Sequence, residues 1–171
     1  MAMTTTAGTH SPALDHYLMR LDAGALFSEV AESAAGGAVV CANLHRTVPL
    51  ALDEREHHLL ESWRDGATAG VRRKAVLRAS GARDMGRVTS VYLPQRLGSA
   101  SVARELHTTD IPLGVALRPL GVVRRSLGAR VVHGTPVSLR CSGVLLLPGE
   151  DGDLVPVALA AEELLSEVLP G

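Results

Sequence analysis

Aromatic side chains are almost missing from this chain. Tyr17, Phe27, Trp63 and Tyr92 are the whole set. The core must therefore be aliphatic, and the stacking platforms that hold single-stranded nucleic acid are lacking. Cysteine is scarce as well. Cys41 and Cys141 show no metal-type spacing and make no disulfide framework, so both are expected as small buried apolar residues. Charge of one sign is not in excess: 17 Lys and Arg face 18 Asp and Glu, which gives no global reason to expect nucleic acid or an anionic membrane as partner. No apolar run approaches the roughly 20 residues that span a bilayer. The opening MAMTTTAGTH has no apolar stretch of the secretory kind. Nucleotide-binding glycine loops, nucleophile elbows and zinc signatures are also absent. The expected setting is the cytoplasm, with no nucleic acid and no membrane as partner.

At 171 residues the chain is long enough for one domain with a real core. Residues 1–11 are small and polar and are expected to be disordered, leaving 12–171 as a single domain. Ser11-Pro12 reads as an N-cap and first helical position, and Leu14, Leu18 and Leu21 follow at helical spacing. A second apolar stripe, Leu26, Phe27, Val30 and Ala31, ends at Gly36-Gly37. A strand is expected over about 38–48, then a polar helical connection carrying DEREHHLLESW (53–63). VRRKAVLRAS (71–80) and GRVTSVYLP (86–94) read as a hairpin. SASVARELH (99–107) reads as a short helix, and IPLGVALRPLG (111–121) as a loop entering another. VVRRSLGARVV (122–132) and VSLRCSGVLLLP (137–148) supply two more strands, and LAAEELLSEVL (159–169) reads as a closing amphipathic helix. Strands in successive hairpins with helices between them give an α+β domain on a single antiparallel sheet.

One residue breaks the pattern. If 40–47 is a regular strand, Val40, Ala42, Leu44 and Arg46 share the core-facing side. A guanidinium keeps its charge, so Arg46 needs an anion there. That anion is either a carboxylate of this chain or a ligand. The apolar runs LRCSGVLLLP and VTSVYLP contain no acid to meet it, which favours a ligand carboxylate. Two other groups attract less interest. His57 and His58 point about 100° apart on a helix and make a poor metal pair. Arg72, Lys74 and Arg78 alternate onto one strand face, as solvated outer faces do.

The order of NLHRTV, VRRKAVLRASG with GRVTSVYLP, the helix leading into DIPLGVAL, and VSLRCSGVLLLP resembles the chorismate lyase-like fold, over about residues 14–148. That family includes chorismate pyruvate-lyase and the ligand-sensing UTRA domains of GntR-type regulators. The resemblance implies an antiparallel sheet of about six strands, a pocket closed by helical flaps, and no metal or other cofactor. It places the substrate-binding arginine on Arg46 and a pocket-lining turn on Pro112, Leu113 and Gly114. It also places the lyase's catalytic glutamate on Val144, which cannot transfer a proton. His45, His107, His133 and Asp110 lie near the matched segments as substitute proton carriers, with His45 and His133 put beside Arg46 as the candidate catalytic set.

The reading that follows is a cofactor-free, lyase-like enzyme of biosynthetic metabolism. It would act on a small carboxylate clamped by Arg46 in a closed pocket lined by Leu113, Gly114 and Val144. The alternative is a non-catalytic carboxylate-binding module related to UTRA sensory domains. No helix-turn-helix domain fits before residue 12, so a complete one-chain regulator is not expected. A structural protein with a vestigial pocket is a third reading. The oligomeric state is left as monomer or homodimer.

Overall fold

The computed structural model describes residues 12–37, 40–79, 84–134 and 138–165. The expected disordered segment 1–11 lies outside them. Among the described residues six strands form one antiparallel sheet: β1 (Val40–Ala51), β2 (Ala69–Ala79), β3 (Asp84–Tyr92), β4 (Val123–Val132), β5 (Ser138–Pro148) and β6 (Leu154–Leu165). Their order across the sheet is β1-β2-β3-β6-β5-β4. Helices α1 (Pro12–Asp22), α2 (Phe27–Ala34), α4 (Ala100–Thr108) and α5 (Leu113–Leu117) pack on one face, here the inner face. The short helix α3 (Glu54–Leu59) adjoins the opposite, outer face, where Leu52 and Leu60 pack on Val91, Val144, Leu146 and Leu159. The α+β architecture on a six-stranded antiparallel sheet is the one expected.

Local chemistry accounts for most elements. Asp53 and Glu56 form a reciprocal capping box that starts α3, and Ser99 caps α4 by accepting from the Val102 amide. Helix α1 stops at Asp22, and Gly24 follows at φ 96°. A Cβ there would meet the Arg124 carbonyl oxygen at 2.7 Å, so this turn requires glycine.

The closing segment is a strand, not the expected helix. Leu, Ala and Glu favour helix in isolation, yet 159–165 lies in β6, paired with β3 on one side and β5 on the other. Being central, β6 is buried on both faces, and that packing outweighs the local preference. Residues 166–169 of the expected helix lie outside the described residues.

Strand β1 holds the second correction. A bulge falls between Leu44 and Arg46, where the pairing steps from Leu44 opposite Ala75 to Arg46 opposite Lys74. Ala75 faces the core, whereas Lys74 is exposed. The inserted residue flips the alternation, so Arg46 turns outward and is exposed. Cys41 is exposed also, against expectation, while Cys141 is buried.

Candidate functional site

Among the described residues two buried arginines lie on the helical face, Arg73 of β2 and Arg124 of β4. The alternation that turns Ala75 and Leu77 inward also turns Arg73 inward, leaving it 1% exposed. Its Nε donates to the Leu106 carbonyl at 2.9 Å, and its Nη2 donates to the carbonyls of Thr109 at 3.2 Å and Ile111 at 2.6 Å. These three acceptors belong to the C-terminal end of α4 and the connector leading into α5. Burial pulls the guanidinium below its ordinary pKa, opposed by Tyr92 and Asp110.

Arg73 lines a cavity of about 20 Å³. The surrounding wall includes Phe27 and Ser28 of α2, Pro112, Leu113 and Gly114 at the start of α5, and Leu145 and Glu162 of the sheet. A space of that size holds about one water molecule. Among the described residues the hydroxyl of Ser28 is buried without a hydrogen-bond partner, and a Cβ on Gly114 would meet it at 2.8 Å. Ser90, directly opposite Arg73 across the β2–β3 ladder, likewise has a buried hydroxyl without a partner among them. Polar groups left unpaired in a packed interior need a reason, because each costs about 1–3 kcal/mol.

Glu162 brings the opposite charge to this cavity. Its Oε2 accepts from Arg124 Nη2 at 2.8 Å and from the Cys141 thiol at 3.0 Å. Arg124 is anchored in turn by the Leu21 carbonyl at 2.9 Å. The guanidinium crosses β5 over Gly143, where a Cβ would lie 2.7 Å from its Nε. Burial raises the Glu162 carboxyl above the ordinary Glu range, against the pull of Arg124. Burial also raises the Cys141 thiol well above its ordinary value, with Glu162 adding to it, so it is not a reactive thiolate.

Several sequence expectations are rearranged by this geometry. Leu113 and Gly114 line the Arg73 cavity, apart from Arg46. Val144 does not: strand alternation sends it to the outer face among Leu52, Leu60 and Leu146, and its neighbour Leu145 reaches the cavity instead. Arg46 lies with Arg72 and Lys74 on the outer face, away from Leu113 and Gly114. His133 and His107 are exposed, as is Asp110, and the side chain of His45 lies outside the described residues. Arg73 and Glu162 were missed. The inward set Val71, Arg73, Ala75 and Leu77 was the signal for the first, and reading 159–169 as a helix hid the second. Among the described residues no group of three or more His, Cys, Asp or Glu side chains could hold a metal ion, and no helix is long and apolar enough to cross a membrane.

No protein-family model matches this sequence, and no curated protein matches it. Solved structures do. PhnF from Mycobacterium smegmatis superposes with a TM-score of 0.56 at 15% identity, over 85% of this chain and 66% of that one. The effector domain of PhnF alone gives 0.55 at 15% identity, over 84% and 90%. The chain has the fold of that effector domain. The ligand-binding domain of a GntR-family transcriptional regulator from Bordetella bronchiseptica is also similar, with a TM-score of 0.53 at 13% identity over 76% of this chain and 85% of that one. The chain thus spans most of an effector domain but just under two thirds of the full PhnF chain.

The family resemblance therefore holds at the level of the fold. Two expectations do not survive it. A lyase of biosynthetic metabolism finds no support, because the similar structures are those of PhnF, its effector domain and the ligand-binding domain of a GntR-family regulator. The exclusion of nucleic acid falls for the same reason, since proteins with this fold include transcriptional regulators.

Proposed function

We propose that this chain is a non-catalytic sensory module that binds a small carboxylate against Arg73 on the inner face of the sheet. The observation that carries this reading is a buried guanidinium at a one-water cavity, beside an unpaired Ser28 hydroxyl and the Glu162 carboxylate. Arg73 offers a planar fork suited to a carboxylate, and the Ser28 hydroxyl offers a further hydrogen bond. Glu162 would repel a second acid and favour a hydroxyl or amine on the ligand's other end.

A cavity of about 20 Å³ is too small for such a ligand, so binding must displace α5 and its connector. Arg73 holds the connector by the carbonyls of Leu106, Thr109 and Ile111. A ligand carboxylate competes for the same N–H groups with charge-assisted bonds, which are roughly twice as strong as neutral ones. The connector is also bonded to edge strand β1: the Ala42 amide donates to the Asp110 carbonyl at 3.2 Å, and the Thr47 hydroxyl to the His107 carbonyl at 3.5 Å. Taking Arg73 away from the connector would loosen its hold on that edge. Ligand occupancy is thereby converted into a change at the sheet margin.

The test is a thermal-shift screen of small hydroxy- and amino-substituted carboxylic acids, followed by mass analysis of any ligand that binds. A ligand at 100 times its dissociation constant should stabilise the fold by about 2.7 kcal/mol and be recovered unchanged. Conversion of the ligand to product, or no stabilisation by any member of the set, would overturn the reading.

A further inference from the structure

The outer face of the sheet carries a cluster of cations that folding alone does not explain. Arg46 and Lys74 stand directly opposite each other in the β1–β2 register, and Arg72 follows two residues from Lys74 on the same face. Like charges directly opposite across an antiparallel pair destabilise it. Neither Arg46 nor Lys74 takes part in a salt bridge among the described residues, and Arg72 reaches Glu56 only at 3.6 Å. Glu56 is already engaged in the α3 capping box and is mostly buried.

These residues line a recess. Arg46, Arg72 and Lys74, with Val48 and Leu50, bound a space of about 160 Å³. Arg72 and Lys74 also bound a neighbouring space of about 270 Å³ that runs beneath Arg55 and Glu56 of α3 and over Thr89 and Ala161. The small and medium side chains at Thr89, Ser142 and Ala161 leave the middle of the sheet low, so the cations stand at one end of a trough. Four cations and one carboxylate border the two spaces together.

We propose that this recess is a second binding site, for a compact dianion such as a phosphate ester or a dicarboxylate. The charge count selects the class, because one carboxylate would leave the Arg46–Lys74 repulsion largely in place while two negative charges can face both cations. Arg46 and Arg72 supply forked donors, and Lys74 supplies a point charge between them. Local rules broken without compensation mark functional sites, and the unrelieved cation pair is such a break. The site lies on the face of the sheet opposite the Arg73 cavity and does not depend on that cavity binding anything.

Calorimetric titration tests this on the full chain at constant ionic strength, above the second ionisation of phosphate. The probes are inorganic phosphate, succinate, acetate and a short DNA duplex. Phosphate or succinate should bind at least about tenfold more tightly than acetate. Lys74→Met and Arg46→Gln should each weaken dianion binding by about tenfold or more, the loss expected from one charge-assisted contact. Both side chains are exposed on the surface, so the variants should fold. Arg118→Gln, at an exposed cation that borders neither space, should leave dianion affinity within about twofold. Acetate binding as tightly as the dianions, unchanged affinity in both variants, or binding of the duplex without the small dianions would each overturn the proposal.

Discussion

Replacing Gly143 with alanine isolates the interaction that organises the inner face. The added Cβ would lie 2.7 Å from Arg124 Nε, 2.9 Å from Cζ and 3.1 Å from Cγ. The arginine has little freedom to yield, because Nη1 is bonded to the Leu21 carbonyl and Nη2 to Glu162, and the side chain is fully buried. Either β4 and β5 separate to keep the pair, or the pair breaks. Overpacking of the first kind costs about 1–3 kcal/mol, and leaving a buried charge without its partner costs about 3–5 kcal/mol. The expected loss is therefore about 3 kcal/mol, read as a lower urea midpoint at unchanged slope. A second background makes the test specific. With Arg124→Ala and Glu162→Leu the pair is gone and the clash with it, and alanine exceeds glycine in a strand by about 0.5–1 kcal/mol. There Gly143→Ala should be neutral or stabilising. A similar cost in both backgrounds, or less than about 1 kcal/mol in the natural one, would refute the role given to Gly143.

Two further predictions concern charge and pH. The side chain of Arg96 is nearly buried; it donates to the carbonyls of Leu60, Glu61 and Pro156 and makes a two-pronged contact with Asp65 at 2.8 Å in both arms. Arg96→Met should cost about 2 kcal/mol, mainly through the stranded carbonyls, since Asp65 is partly exposed and its attraction is screened. The Arg96 hydrogen bond holds the Asp65 carboxyl below its ordinary pKa, so its contribution is full above the ordinary Asp range and is lost as pH falls through the depressed value. Asp65→Asn should flatten that acid limb in urea midpoints measured against pH. Glu162 runs the other way. Its carboxyl is raised by burial, so the folded state holds the proton longer than the unfolded chain, and stability is lost as pH rises from the ordinary Glu range through the raised value. The stability of the natural chain minus that of Glu162→Gln should fall across that window, and a difference that rises with pH would contradict the assignment.

How much of this was legible in the sequence depended on whether the signal was local. The β2–β3 hairpin, β5, the two N-terminal helices and the α4–α5 segment follow from periodicity, caps and turn residues, and they appear where those place them. Features set by position in the sheet did not. Strand β6 is written in helix-favouring residues, and only its central place explains it. The bulge in β1 has no glycine to announce it, yet one inserted residue moved Arg46 from the expected core face to the outer one. The same period-two logic exchanged Val144 for Leu145 at the cavity. Site residues in a sheet are thus exposed to single-residue errors that leave the fold untouched. The Pro112-Leu113-Gly114 segment is not subject to that register error, because it lies at the start of a helix.

The clamp between Arg73 and the α4–α5 connector is the central element of the account. Amide hydrogen exchange measures it most directly, comparing the natural chain with Arg73→Met, and then the natural chain with and without a bound carboxylate. The Ala42 amide, bonded to the Asp110 carbonyl, and the amides of residues 106–111 are the ones to follow. Removing the guanidinium, or occupying it with a ligand, should speed exchange at Ala42 by about tenfold or more while the amides of β6 stay protected. If Ala42 exchanges at the same rate in all three states, Arg73 does not hold the connector, and sensing by that exchange of partners is wrong.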